Sequence, residues 1–438
     1  MTEKRVTNIK NIFILATPII IENLLQTLLG ITDTYFAGQL DNLAIIGIGV
    51  TNVIMNVLIS FFTAITVGSI AVISRSFGHR DYDKVNRAIM HSIVLGTILG
   101  LAVGIICAVF REPILLISGA DQTTLPITMP YYLIVSVPCV FLCLQLILSS
   151  CLRAIKDTKL PMYIIGGTNI LKIILNAIFM KLDMGVWGLG FATTLSRFIG
   201  MVLLFLVLYH HDKNVNLKPC HITRLEIKTI LRVGIPAGIE KLIMRIGQLV
   251  YNAMVIHLGT TAYVAHNIAS NIENFSYTPA LGFGLAVCTL VGVSLGENDI
   301  KQAKEEVTLS YIICALIMGG LGACMFIFAR PLAALFTDTV EVQDYVVQVL
   351  HLIGIVQPFS ALVQVMTNSL QGAGDTEFPM YVTFIGVWGL RTGLGFVFAV
   401  VLGFGLIGAW TAYSLDLIVR GLLLLYRFRK GHWQNIRL

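Results

Sequence analysis

The chain has 438 residues, 56% of them hydrophobic and 12% charged, with mean hydropathy +0.83 and a formal net charge of +6. Soluble domains carry about 25% charged residues, so this chain cannot coat a water-soluble globule, and its charges gather in short segments between long apolar runs, which removes the need for a nucleic-acid partner. Its eight cysteines show no CxxC and no regular spacing, and Cys107, Cys139, Cys143, Cys288, Cys314 and Cys324 sit inside apolar runs, so they read as packing residues and not as a disulfide or zinc framework.

The first ten residues are polar, and the run that follows is too long for the apolar region of a signal peptide. With no cleavage site in view, the first helix is expected to stay as an anchor. A spanning helix needs ~20 mostly apolar residues, and on that basis twelve helices are expected. They lie at 12–38, 43–73, 88–110, 130–152, 160–181 and 186–209, then 230–256, 261–293, 306–328, 346–370, 378–400 and 404–427. Pro18 and Pro236, each early in its helix, are expected hinge points because proline removes a backbone hydrogen bond. Lys and Arg concentrate at the N-terminus, in every second connection and at the C-terminus, which places both termini on the cytoplasmic side.

The chain repeats itself at a constant offset of 218 residues. Pro18 matches Pro236, Glu22 matches Glu240, Gly78 and Asp81 match Gly296 and Asp299, and "DTKLPMY" (157–163) matches "DTEFPMY" (375–381). Six spans per half return the chain to the same side, so the repeats are parallel. The expected fold is an all-α membrane protein of twelve transmembrane helices in two six-helix repeats around a central cavity. Residues 1–209 form an N-lobe, 210–228 a cytoplasmic linker and 229–438 a C-lobe. This is transporter architecture, suited to alternating access.

The segment "ATPIIIENLLQTLLGITDTYFAGQL" in the first span, "AHNIASNIENFSYTPALGFGLAVCTLVGVSLGENDIKQA" from the eighth span into its loop, and "LRAIKDTKLPM" with "LQGAGDTEFPM" together resemble the multidrug and toxic compound extrusion (MATE) transporters along the whole chain. The resemblance implies a plasma-membrane antiporter that exports amphiphilic cationic small molecules in exchange for H⁺ or Na⁺, with no other cofactor. It also implies that Asp33, in the "DT" motif, takes part in cation coupling. The family commonly places an Asn four residues before an Asn or Asp on the fifth span; the matching positions here are Lys172 and Asn176. Its Na⁺-coupled branch uses acids on the seventh and tenth spans. The tenth span here has none, which inclines the reading to protons.

Ionisable groups inside a span are costly and mark functional sites by default. At 100° per residue Glu22 and Asp33 differ by only about 20°, and Gln26 lies beside them, giving one polar stripe. Lys172 and Arg197 are the expected basic partners, with Glu22 nearer in depth to Lys172 and Asp33 freer to titrate. The second half holds Glu240, Lys241, Arg245, Glu273, Arg391 and Asp416. Arg245 with Glu273, and Arg391 with Asp416, have matching estimated depths, and acids and bases balance in each half. Asn267, Asn271 and Asn274 form an amide stripe, either hydrogen bonding between helices or lining a C-lobe cavity. "GHRDYDK" and "GENDIKQ" read as helix caps.

No HExxH, GxSxG or Walker pattern supports an enzyme, and no metal site is evident. A lipid-linked precursor flippase is the alternative; the balanced charges and the count of twelve helices speak against it. A monomer is expected.

Overall fold

The computed structural model describes residues 3–40, 42–210, 223–436 and 438; of the expected linker, 211–222 lie outside the described residues. The described chain is helical throughout, as the long apolar runs demand. In lipid every backbone N–H and C=O must be satisfied within its own segment.

The first half contains α1 (Glu3–Leu40), α2 (Asn42–Gly78), α3 (Tyr82–Val109), α4 (Arg111–Ile117), α5 (Leu125–Ser136), α6 (Cys139–Ala154), α7 (Lys159–Lys181) and α8 (Gly185–His210). The second contains α9 (Arg224–Ile256), α10 (Thr260–Gly296), α11 (Ile300–Ile327), α12 (Ala329–Ala334), α13 (Val340–Ala373), α14 (Glu377–Phe384) and α15 (Gly405–Lys430). Moving α2 and α3 forward by 218 residues gives the ends of α10 and α11. The caps repeat too. Asp81 accepts from the Lys84 N–H at 3.0 Å and Asp299 from the Gln302 N–H at 2.8 Å. The residue before each, Arg80 and Asn298, has φ +58°. The two loop motifs are thus helix caps, as read.

Ten helices among the described residues are long and apolar enough to span a membrane, and eleven if α5 and α6 count as one bent span. The remaining long helix is α9, which carries Glu226, Lys228, Arg232, Glu240, Lys241 and Arg245 along its length. Two expected spans differ in form. The fourth is broken, with α5 and α6 meeting at 43°; Pro138, which has no N–H to donate to the preceding turn, stands at the break with φ −84° and ψ 31°. Its counterpart at the offset is Val356, and α13 runs on without a break. The eleventh is α-helical only over α14; Ile385–Leu394 and Val397–Val401 are π-helical. Four glycines (Gly386, Gly389, Gly393 and Gly395) loosen that stretch.

The chain divides into two compact units, Ile21–Gly238 in one and Met1–Ile20 with Ile239–Leu438 in the other. Both changeovers occur inside a continuous helix, α1 or α9, two residues past Pro18 or Pro236 and at the same repeat position. In the first unit the start of α9 packs closely on α2. A Cβ on Gly234 would fall 2.0 Å from the Ala64 carbonyl oxygen. In the second unit the start of α1 packs on α10, where a Cβ on Gly282 would fall 2.3 Å from Ile20 Cγ1 and 3.2 Å from the Ala16 carbonyl oxygen. Ala16 is the counterpart of Gly234 and Ala64 that of Gly282. The close approach is conserved between halves, with the glycine on opposite helices.

Candidate functional site: buried charges in the two units

In the Ile21–Gly238 unit, α1 presents Glu22 and Asp33, and each finds a cation. Arg153, in the last turn of α6, donates from Nη2 to both oxygens of the buried Glu22 carboxylate, at 2.6 and 2.7 Å. Lys172 on α7 donates from Nζ to Asp33 Oδ2 at 2.6 Å, and Asn176 Nδ2 lies 3.5 Å from Oδ1, at the limit of hydrogen bonding. Lys172 and Asn176 stand four apart, on one face of α7. Arg197 on α8 is within electrostatic reach of Asp33 and Tyr131, and its Nη1 is buried without a hydrogen-bond partner among the described residues.

This corrects the expected pairing. Lys172 serves Asp33 and not Glu22, and Asp33 is firmly paired. Arg153, one residue past the expected end of the fourth span at 152, belongs to the bundle because a long guanidinium stem reaches back from the helix end. Gln26 is exposed, whereas Asp33 keeps 17% of its side chain accessible.

In the other unit Asp416 on α15 is fully buried between two guanidiniums. Arg391 donates from Nε at 3.0 Å and approaches with Nη2 at 2.7 Å, while Arg420, one turn on, donates from Nε at 2.6 Å and Nη2 at 2.9 Å. The Arg391–Asp416 pair is therefore present as read, and Arg420 is an addition. Arg391 also lies over the Tyr413 ring, 4.2 Å from its centroid, and the Tyr413 hydroxyl donates to Glu273 at 2.6 Å. Arg245 is not Glu273's partner; it is exposed and 3.4 Å from Gln248 Oε1. Glu240, buried on α9, accepts from Gln371 Nε2 at 2.7 Å and from the Thr383 hydroxyl at 3.3 Å. Arg153 and Arg420 add to the expected bases, and the buried Glu306 and Asp375 add to the expected acids.

The amide stripe keeps to one exposed face. His266 is buried and 3.0 Å from Asn252 Oδ1, whereas Asn267, Asn271 and Asn274 are exposed, as are Arg245 and Gln248. Amides and a guanidinium on spanning helices are not stable against hydrocarbon, so this face needs water or a polar ligand. Among the described residues no cluster of His, Cys, Asp and Glu is disposed to hold a metal ion. Gln371, Thr383 and Tyr413 escaped the sequence reading; only the repeat, which sets Gln371 opposite Arg153, singles one of them out.

The same periodicity appears in comparison with known families. The MatE family model matches twice, over residues 18–178 and 236–397. The chain belongs to the MatE family of transporters. A probable multidrug resistance protein NorM of Thermotoga maritima is 30% identical over 434 residues, covering 97% of this chain and 93% of that protein. The uncharacterized transporter YisQ of Bacillus subtilis is 27% identical, covering 97% and 94%. The outward-facing structure of a multidrug resistance MATE family transporter superposes with TM-score 0.91 at 22% identity, covering 98% of this chain and 97% of the other. The fold is accordingly the MATE fold of twelve spans in two repeats, and the MatE chain is a multi-pass membrane transporter and not an enzyme.

Proposed function

We propose that this MatE protein exports amphiphilic organic cations across the plasma membrane in exchange for H⁺ by alternating access, as a monomer with both termini cytoplasmic and with Pro18 and Pro236 as hinges. The lobes are 1–209 and 229–438, joined by the linker 210–228. The observation that carries the reading is the Asp33–Lys172 pair, an ion pair kept within the spans and still partly accessible. Relatives bearing multidrug resistance names support the substrate class.

Lys172 occupies the carboxylate as a tethered ammonium. A cationic substrate takes its place on Asp33 when bound, and a proton on Asp33 removes the negative charge and releases the substrate. Both events draw on one charge, which couples the gradient to export. Asn176 steadies the second Asp33 oxygen, and Arg197 keeps the surroundings positive, so that a bare cation is held only while Asp33 is ionised. The exposed set Arg245, Asn267, Asn271 and Asn274 lines a water-filled cavity.

The test is ethidium efflux from proteoliposomes under a pH gradient and then under a Na⁺ gradient. Wild-type protein exports with the first; Asp33→Asn folds but does not export. Normal efflux from Asp33→Asn refutes the scheme. The alternative reading is a flippase for a lipid-linked precursor. Transfer of a fluorescent anionic lipid between leaflets, without ethidium efflux, would select it.

A further inference from the structure

Arg153, Arg391 and Arg420 each close on a buried carboxylate. Arg197 does not. It makes no ion pair and no hydrogen bond among the described residues, although its Nη1 is buried. We infer that the hairpin of α7 and α8 holds a small inorganic monoanion, of the chloride class, between Arg197, Lys172 and Asn169.

The hairpin sets these three groups at one level. A Cβ on Gly188 would fall 2.7 Å from Phe179 Cβ, and one on Gly200 3.4 Å from Thr168 Cγ2. In antiparallel helices those two approaches put Arg197 level with Ile170 and Leu171, between Asn169 and Lys172. Asn169 and Lys172, three apart, share a face of α7, and the charges of Lys172 and Arg197 act on each other. Asn169 Nδ2 is a second buried donor without a partner among the described residues. Gln145 of α6 brings a further amide close by, its Nε2 2.9 Å from where a Cβ on Gly200 would stand. Buried donors are satisfied in native proteins, and these lack an acceptor.

Water satisfies such donors but leaves the charge. Asp33 is the carboxylate whose charge reaches Arg197, and Lys172 already occupies it. Two bases thus face one acid, and the site carries one positive charge where burial penalises it. A proton or a cationic substrate on Asp33 raises that to two. An anion beside Arg197 makes the site neutral at rest and leaves a single positive charge when Asp33 is loaded. One surplus charge suits a monoanion and not a phosphate. A carboxylate has the same charge, so halide and carboxylate are compared with no substrate present.

Bromide is the direct probe, because it stands in for chloride and scatters X-rays anomalously. Crystals of the full-length protein soaked in bromide should show an anomalous peak beside Arg197 Nη1; no peak there overturns the inference. In detergent at constant ionic strength, replacing gluconate by chloride should raise the unfolding midpoint along a saturating curve. Arg197→Gln should abolish that rise. Asn169→Leu, which removes one neutral donor, should weaken chloride binding several-fold. An equal rise in wild type and Arg197→Gln is a general salt effect and counts against the site. A rise with formate but not with chloride overturns the halide and assigns the site to a carboxylate. If Arg197→Gln does not fold, Arg197→Lys, which loses the guanidinium fork, should require about tenfold more chloride, and an unchanged requirement overturns the assignment. The transport arm rests on the proton-driven reading above. Ethidium efflux should fall several-fold when chloride on both faces is exchanged for gluconate, and efflux indifferent to the anion overturns a role in transport. Wild-type vesicles that export no ethidium in either salt would refute the proposed function while leaving the bromide and stability results standing.

Discussion

Asp33 and its counterpart Tyr251 stand at one repeat position in the two halves and have nothing chemical in common. Asp33 carries an ion pair with Lys172. Tyr251 is buried in an aromatic group, its ring 5.7 Å from that of His266 and 6.5 Å from that of Tyr413, with Trp410 5.1 Å from Tyr413. The counterparts of Lys172 and Asn176 are Leu390 and Leu394, so the whole constellation is replaced and not merely one residue. The halves share their caps and most of their helices, and at this position they differ in buried charge. A duplicated scaffold preserves backbone packing because both copies must fold, while its buried charges are freer to diverge.

The sharpest way to break this comparison is to attack the charge cluster of the second half. Asp416 satisfies Arg391 and Arg420 together, so Asp416→Asn strands two buried guanidiniums. Breaking a buried pair by removing one partner costs about 3–5 kcal/mol. Asp416→Asn should therefore unfold at a markedly lower temperature in detergent than Asp33→Asn, which strands one buried ammonium instead of two guanidiniums. Equal midpoints in scanning fluorimetry would mean that the two clusters contribute alike to stability.

Helix positions were legible because hydropathy acts over whole turns and because the 218-residue offset checks each half against the other. The break at Pro138 was open to the same logic, since Val356 stands at its counterpart, but the proline lies inside an apolar run and hydropathy passes over it. Side-chain partners were harder. Arg153 ends α6 in a basic connection, and only the fold shows its guanidinium turned inward on Glu22. Asp33 and Lys172 were both picked out as site residues, yet depth counting joined the wrong acid to Lys172. Depth estimates carry errors of several residues, and each residue moves a side chain by ~1.5 Å and 100°. The π-helical stretch around Arg391 shifts its side chain further from where an α-helix would place it.

A smaller effect is expected where the backbones approach. Gly234→Ala forces a methyl against the Ala64 carbonyl at 2.0 Å, while Gly282→Ala meets Ile20 Cγ1 at 2.3 Å with backbone atoms no nearer than 3.2 Å. Overpacking typically costs about 1–3 kcal/mol, so Gly234→Ala should fall in that range and Gly282→Ala below it. Ala64→Gly removes the Ala64 methyl but leaves its carbonyl in place, so adding it to Gly234→Ala should restore little of the lost thermal stability. Full recovery in the double variant would show that the methyl, and not the carbonyl, limits the approach.

The smallest difference concerns the first turns of α1 and α9. Glu226 on α9 accepts from Arg87 Nε at 3.0 Å and lies 3.1 Å from His91 Nδ1. The counterparts of Arg87 and Glu226 are Glu305 and Asn8, and in that half the pair is Arg5 on α1 with Glu305 on α11, at 3.4 Å. The polarity is reversed, with the base on the entering helix instead of the acid. The exposures also differ. Glu226 is 17% exposed and backed by a fully buried histidine, whereas Arg5 is 57% exposed. Solvent-exposed pairs are worth about 0–1 kcal/mol and weaken with salt. Glu305→Gln should therefore change the unfolding midpoint little, and less still at high salt. Glu226→Gln should lower it visibly at every salt concentration, because it loosens His91, which accepts the Thr223 N–H at the head of α9. Equal, salt-sensitive effects from the two variants would show that both are surface pairs and that the buried histidine adds nothing to how α9 is anchored.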